Sequence, residues 1–134
     1  MTVPFPTDEW IKTAMEKVNA SEAYQKAAKV WEGDLVFVVT AVPDERQTVY
    51  LYMDLWHGEC RDAYETTADK PSEFTITAPV AVWRKVLEGN LDPIRGIVSR
   101  QLKLTGSLPK IMKSPKAATE LVNACATIDT QWPA

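Results

Sequence analysis

The sequence predicts an α+β domain, a mainly antiparallel sheet of about five strands covered on one face by helices. Three observations predict it. Two opening segments carry helical apolar spacing behind capping residues. The pattern then changes to strand-like runs between Leu35 and Ala78, and it returns to short helical stretches after Pro79. Links between the four strand-like runs are short, which favours antiparallel pairing. Helices outside such a run favour segregation to one face of the sheet. The 134 residues suit one domain, 1–134, whose core needs neither disulfide nor metal.

Thr7 caps the first helix, with Asp8 and Glu9 in its first turn and Trp10, Ile11, Ala14, Met15 and Val18 on one face. Ser21 caps the second, whose stripe is Tyr24, Ala27, Ala28 and Trp31, with Gly33 placed to end it. Leu35 to Val42 is an apolar, β-branched run broken only by Thr40, a strand buried on both faces. Pro43-Asp44-Glu45-Arg46 is turn chemistry. From Thr48 to Trp56 the side chains alternate, with Val49, Leu51, Met53 and Leu55 on one side. Glu59 to Thr67 continues the meander, and Asp69 to Ser72 turns into a fourth strand marked by Phe74, Ile76 and Ala78.

Pro79 suits the first position of a helix striped by Val82, Trp83, Val86 and Leu87 and stopped by Gly89. Asp92-Pro93 starts another, with Ile94, Ile97 and Val98. Leu102 and Leu104 mark a short fifth strand ending at Gly106, and Ser107 caps a turn of helix through Met112. Ser114-Pro115 opens the last helix, with Ala117, Ala118, Leu121, Val122 and Cys125 on one face.

Composition narrows the function classes. A net charge of -3 gives no basic footprint for nucleic acid and limits any contact with an anionic membrane to a transient one. The first residues lack a basic and apolar leader, so the expected compartment is the cytoplasm. Cys60 and Cys125 are expected as reduced, partly buried thiols. The single histidine, His57, lies three residues from Cys60 with Asp54 and Glu59 nearby, yet a zinc site needs more ligands than this segment offers. His57 and Cys60 sit in a strand-turn where neighbours point apart, a poor base and nucleophile pair. Glu59, Arg61, Asp62 and Glu65 read as one exposed strand face. The expectation is no metal, no cofactor and no catalytic residue.

The apolar surplus lies between Pro79 and Leu104, cut into short helices at Gly89-Asn90 and Asp92-Pro93. Short, broken helices can enclose a cavity or form a lid. The same side chains serve equally in an ordinary core.

The run Trp83-Arg84-Lys85-Val86-Leu87-Glu88-Gly89-Asn90-Leu91-Asp92-Pro93, followed by Leu102 to Leu108, resembles the signature of the sterol carrier protein type two family. Val30 to Phe37 is similar to that family's approach to its first strand, and Ala117 to Leu121 to its last helix. The chain has Ser99-Arg100 where the family often has Gly, and Ser107 where it often has Asp. The resemblance implies an apolar tunnel between sheet and helices that takes a sterol, fatty acid, acyl thioester or phospholipid.

On that layout Val49, Leu51, Met53 and Leu55 floor the cavity, with Phe74 and Ile76 beside them. Trp83, Leu87, Leu91, Ile94, Ile97 and Val98 wall it, while Leu121, Val122 and Cys125 close one end. An arginine at Leu91 is expected to abolish ligand binding. Two other readings stay open. An enzyme or enzyme subunit would bring His57 inward with Asp54 behind it. An interaction module, such as a homodimer, would have the cavity filled by its own side chains.

Overall fold

The computed structural model describes residues 2–133. A two-residue strand, β1 (Val3–Pro4), comes first. Thr7 and Ser21 cap α1 (Asp8–Asn19) and α2 (Glu22–Ala27) by accepting from the N–H groups of Trp10 and Tyr24. Then come β2 (Glu32–Thr40), β3 (Val49–Trp56), β4 (Glu59–Thr66) and β5 (Phe74–Pro79). They are followed by α3 (Val80–Leu87), α4 (Pro93–Val98), β6 (Lys103–Thr105), α5 (Leu108–Met112), α6 (Pro115–Ala126) and β7 (Thr130–Gln131). Sequence periodicity missed β1 and β7, which pair in parallel. Two residues carry no period. The N–H groups of Val3 and Phe5 donate to the carbonyls of Asp129 and Gln131 at 2.8 and 3.0 Å, and Phe5 packs on Trp10 at 4.8 Å and Trp132 at 4.9 Å beside them.

The five-stranded sheet has the order β4-β3-β2-β5-β6. The expected antiparallel pairing holds except at β5, which runs parallel to β2. The β3–β4 hairpin and the link 67–73 form the crossover that a parallel pair requires. That link passes over the sheet face away from the helices. There the Lys70 ammonium sits 4.3 Å above the Tyr52 ring, and Asp34 holds the Glu73 N–H at 2.7 Å. The link shelters a small second cluster of Val36, Val38 and Tyr52, so central β2 is buried on both faces.

Three boundaries differ from expectation. Gly33 lies inside β2, not at the end of α2, and a Cβ there would come 3.1 Å from the Glu73 carboxylate and 3.2 Å from the Phe74 ring. The strand starts at Glu32 and ends at Thr40, so Val42 lies beyond it. Pro79 ends β5 and caps α3 in an extended conformation, which leaves the first helical position to Val80.

All the helices lie on one face, and α6 touches each of the other five. Its alanines at 117 and 124 are buried and let neighbouring backbones approach. The main core runs between this layer and the inward faces of β2, β3 and β5. Register aligns Leu51, Phe37, Ile76 and Leu104 across four strands in one row on that side.

Candidate functional site

Two pockets separate the sheet from the helices. The larger holds about 660 Å³ of empty space, counted out into its open mouth. Leu35, Phe37, Leu55 and Ile76 come from the sheet; Tyr24, Trp31, Trp83, Val86, Pro93, Ile97 and Leu102 surround it. Ile111, Ser114, Ala117, Ala118, Leu121 and Val122 complete the lining. Phe37, Pro93, Ser114, Ala118, Leu121 and Val122 of this lining keep partial exposure. The second pocket, about 490 Å³ counted likewise into open solvent, is lined by Phe5, Trp10, Ile11, Val39, Leu51, Met53, Leu87 and Cys125. Both also use Phe37, Trp83, Val86, Leu121 and Val122.

These shared side chains form the partition. The Phe37 and Trp83 rings stand edge to face, 5.7 Å apart at 88°. The Trp83 indole N–H donates to the Val38 carbonyl at 3.1 Å, which fixes the ring against β2. An apolar lining with few polar groups suits an apolar molecule.

Nine of the fourteen expected lining residues border a pocket: Leu51, Met53, Leu55, Ile76, Trp83, Leu87, Ile97, Leu121 and Val122. Cys125 borders the second pocket beside Leu121 and Val122. The other five lie elsewhere. Val49 is sealed in the core, and Phe74 packs under Trp31 at 5.4 Å. Leu91 packs over Gly96, and Ile94 is half-buried against the core outside both pockets. Val98 is 61% exposed. Successive helical residues point about 100° apart, so the inward Ile97 turns Val98 outward.

Reading the sequence also missed lining residues from the first third of the chain. Leu35, Phe37 and Val39 lie in an unbroken apolar run that gives no sign of face, and it is their pairing with the Val49 to Leu55 strand that sets them on the covered side. Tyr24 and Trp31 were seen as a helical stripe without a destination.

Two side chains offer polar atoms. Ser114 precedes α6 but its hydroxyl does not cap that helix. Tyr24 is 1% exposed, and its hydroxyl makes no hydrogen bond among the described residues, whereas no sealed side-chain oxygen is left unpaired. The hydroxyl is therefore not sealed, and Tyr24 lines the pocket. Burial pushes its titration above the ordinary tyrosine range.

The His57 segment is a surface feature. His57 has a φ of 49°, stacks on Trp56, and meets Glu32 at 2.5 Å with half its side chain exposed. Asp54 is engaged by Arg61 at 3.1 Å, and Cys60 is buried with its backbone held by Asn19. No group of three or more metal-ligating side chains occurs among the described residues. No helix among them is long and apolar enough to cross a membrane.

Comparison with known families matches residues 6–118 to the SCP-2 sterol transfer family. The chain belongs to this family. A crystal structure of sterol carrier protein 2 is 36% identical, with a TM-score of 0.83, over 91% of this chain and 97% of that one. A protein from Thermus thermophilus, suggested to be a sterol carrier protein, is 35% identical at a TM-score of 0.81, over 91% and 87%. The sterol carrier protein domain 2 of Helicoverpa armigera shares the fold at 16% identity, with a TM-score of 0.60, over 98% and 99%. No curated protein matches the chain. The five-stranded sheet with helices on one side is the SCP-2 architecture, and family membership ties this chain to lipid binding in general terms.

Proposed function

We propose that this SCP-2 domain binds and carries an elongated apolar lipid, a fatty acid, acyl thioester, phospholipid or sterol-like molecule, between its sheet and α6. The observation that carries this reading is the larger pocket, where Tyr24 and Ser114 are the only lining side chains with a hydroxyl among apolar ones. Apolar burial supplies affinity, at about 25 cal/mol per Å² of ligand surface before ordering costs. The Tyr24 and Ser114 hydroxyls orient a polar head. A carrier also accords with the histidine: His57 does not point inward with Asp54 behind it but meets Glu32 at the surface, while Asp54 pairs with Arg61.

The test is displacement of a fluorescent fatty acid by unlabelled lipids in two arginine variants. Leu121→Arg places a charge against both pockets and should abolish probe uptake, because an unpaired charge is costly in an apolar site. Leu91→Arg, outside both linings, should leave uptake close to wild type once folding is verified by circular dichroism. Loss in the second variant alone would overturn the assignment.

A further inference from the structure

We propose that Lys110 latches α5 to the sheet and that, given the lipid carriage proposed above, release of this latch sets the rate at which a lipid enters and leaves the larger pocket. α5 is a lightly held piece of the pocket wall. It is five residues long, its contacts with other elements are chiefly with α6, and only Ile111 of its residues is buried. Ile111 is also its one side chain in the pocket lining, so the single apolar anchor of α5 lies in the pocket wall. Leu108 and Met112 stand 41% and 45% exposed. A short helix with one buried side chain belongs to the part of a fold that opens most readily.

What α5 lacks in packing, Lys110 supplies. Its ammonium donates to the Glu73 carboxylate at 2.6 Å and to the Glu32 carbonyl, 37 and 78 residues away in the chain. It lies 5.2 Å from the centre of the Trp31 ring and 5.7 Å from that of Phe74. Glu32 opens β2 and Glu73 immediately precedes β5, so one side chain ties the helix to two adjacent strands. The Trp31 ring that it covers lines the same pocket. An exposed Lys–Glu pair alone contributes little, but this ammonium meets a carboxylate, a carbonyl and two aromatic faces together. The approach to α5 is fixed. Gly106 has a φ of 128°, and a Cβ there would come 2.6 Å from the Phe74 ring and 2.9 Å from the Glu73 carbonyl, so only glycine fits. Release of Lys110 frees the stretch between Gly106 and Ser114 and leaves the sheet in place. Lys110 is not among the lining residues, so the latch closes alike over an empty and a filled pocket. Weakening it raises the open fraction equally in both, and affinity stays where it was.

Lys110→Met keeps the stem against the rings and removes the charge with both hydrogen bonds. Loss of these bonds at a half-exposed site should raise the open fraction about tenfold. Stopped-flow mixing with the fluorescent fatty acid cis-parinaric acid should then show uptake and release both about tenfold faster than wild type, with Kd within about twofold. Glu73→Gln should speed both by less, since the Glu32 carbonyl bond remains, and adding it to Lys110→Met should bring nothing further. Lys113→Met, at an exposed cation without an ion pair among the described residues, should leave both rates unchanged. Hydrogen exchange without lipid keeps the latch separate from the carrier reading. In Lys110→Met the α5 amides should exchange about tenfold faster, and those of β3 and α1 at the wild-type rate. If the wild type took up no fatty acid, the carrier reading and the gating role would both fall, while exchange would still decide whether Lys110 holds α5. Unchanged rates in Lys110→Met, a change confined to Kd, or faster exchange across the whole chain would overturn the proposal.

Discussion

Phe37→Ala is the perturbation that most directly probes how the two pockets are joined. Phe37 sits on the central strand, half-buried, with a pocket on either side and only Trp83 as a ring partner. Burying a phenylalanine side chain fully contributes about 1.5–3 kcal/mol. Incomplete burial puts Phe37 near 2 kcal/mol, and the edge-to-face contact adds about 0.5–1.5 kcal/mol. The void left by truncation opens into space that is already empty, so the usual cavity penalty is small. A loss of about 3 kcal/mol follows. Urea unfolding should show it as a lower midpoint at unchanged slope.

Binding should respond in the opposite sense. Without the ring the two pockets become continuous, and each further buried methylene is worth about 0.8 kcal/mol, close to fourfold in affinity. Fatty acids of increasing length should gain affinity in the wild type until the larger pocket is filled. In Phe37→Ala the gain should continue through longer chains. Identical length profiles in the two proteins would refute the partition. A loss of about 5 kcal/mol would refute it too, since that is the cost of excavating a tightly packed core.

Tyr24→Phe should leave the stability of the ligand-free protein close to wild type, because the hydroxyl it removes makes no hydrogen bond among the described residues and is not sealed. The same change should weaken fatty-acid binding about three- to tenfold, the value of one hydrogen bond, in the displacement assay. Burial pushes the Cys60 and Cys125 thiols up to about 12 from the ordinary 9.0. The folded chain keeps both protons while unfolded thiols ionise from pH 9 upward, so stability is held below pH 9 and falls toward pH 12. Denaturant titrations across that range should show the fall, and alanine at both cysteines should flatten it, with Tyr24, raised by burial, and Tyr52, raised by burial and its hydrogen bond to Asp34, leaving a residual slope at higher pH.

How much of this was legible in the residues varies with the physics involved. Caps are local chemistry, so Thr7, Ser21, Asp92 and Ser107 marked helix starts that the structure has. Period two placed Leu51, Met53 and Leu55 on the covered face. Pairing order is a long-range matter: nothing in Phe74 to Pro79 alone says that it joins β2 rather than β4, and the parallel partner was missed. The pocket mixes both levels. Trp83, Ile97 and Leu121 were found through their stripes. Phe37 was hidden in a run where every residue is apolar, and in such a run alternation is invisible. Val98 and Leu91 were drawn in by composition, which does not record which way a short helix turns.

The central claim is that lipid lies between the sheet and α6, and site-mapped photolabelling tests it most directly. A photoreactive fatty acid, crosslinked and located by peptide mass spectrometry, should mark Leu35 to Phe37, Trp83 and Ala118 to Val122, and excess unlabelled fatty acid should suppress the marks. Labels confined to exposed apolar residues such as Val30 and Val98, insensitive to that competition, would contradict it.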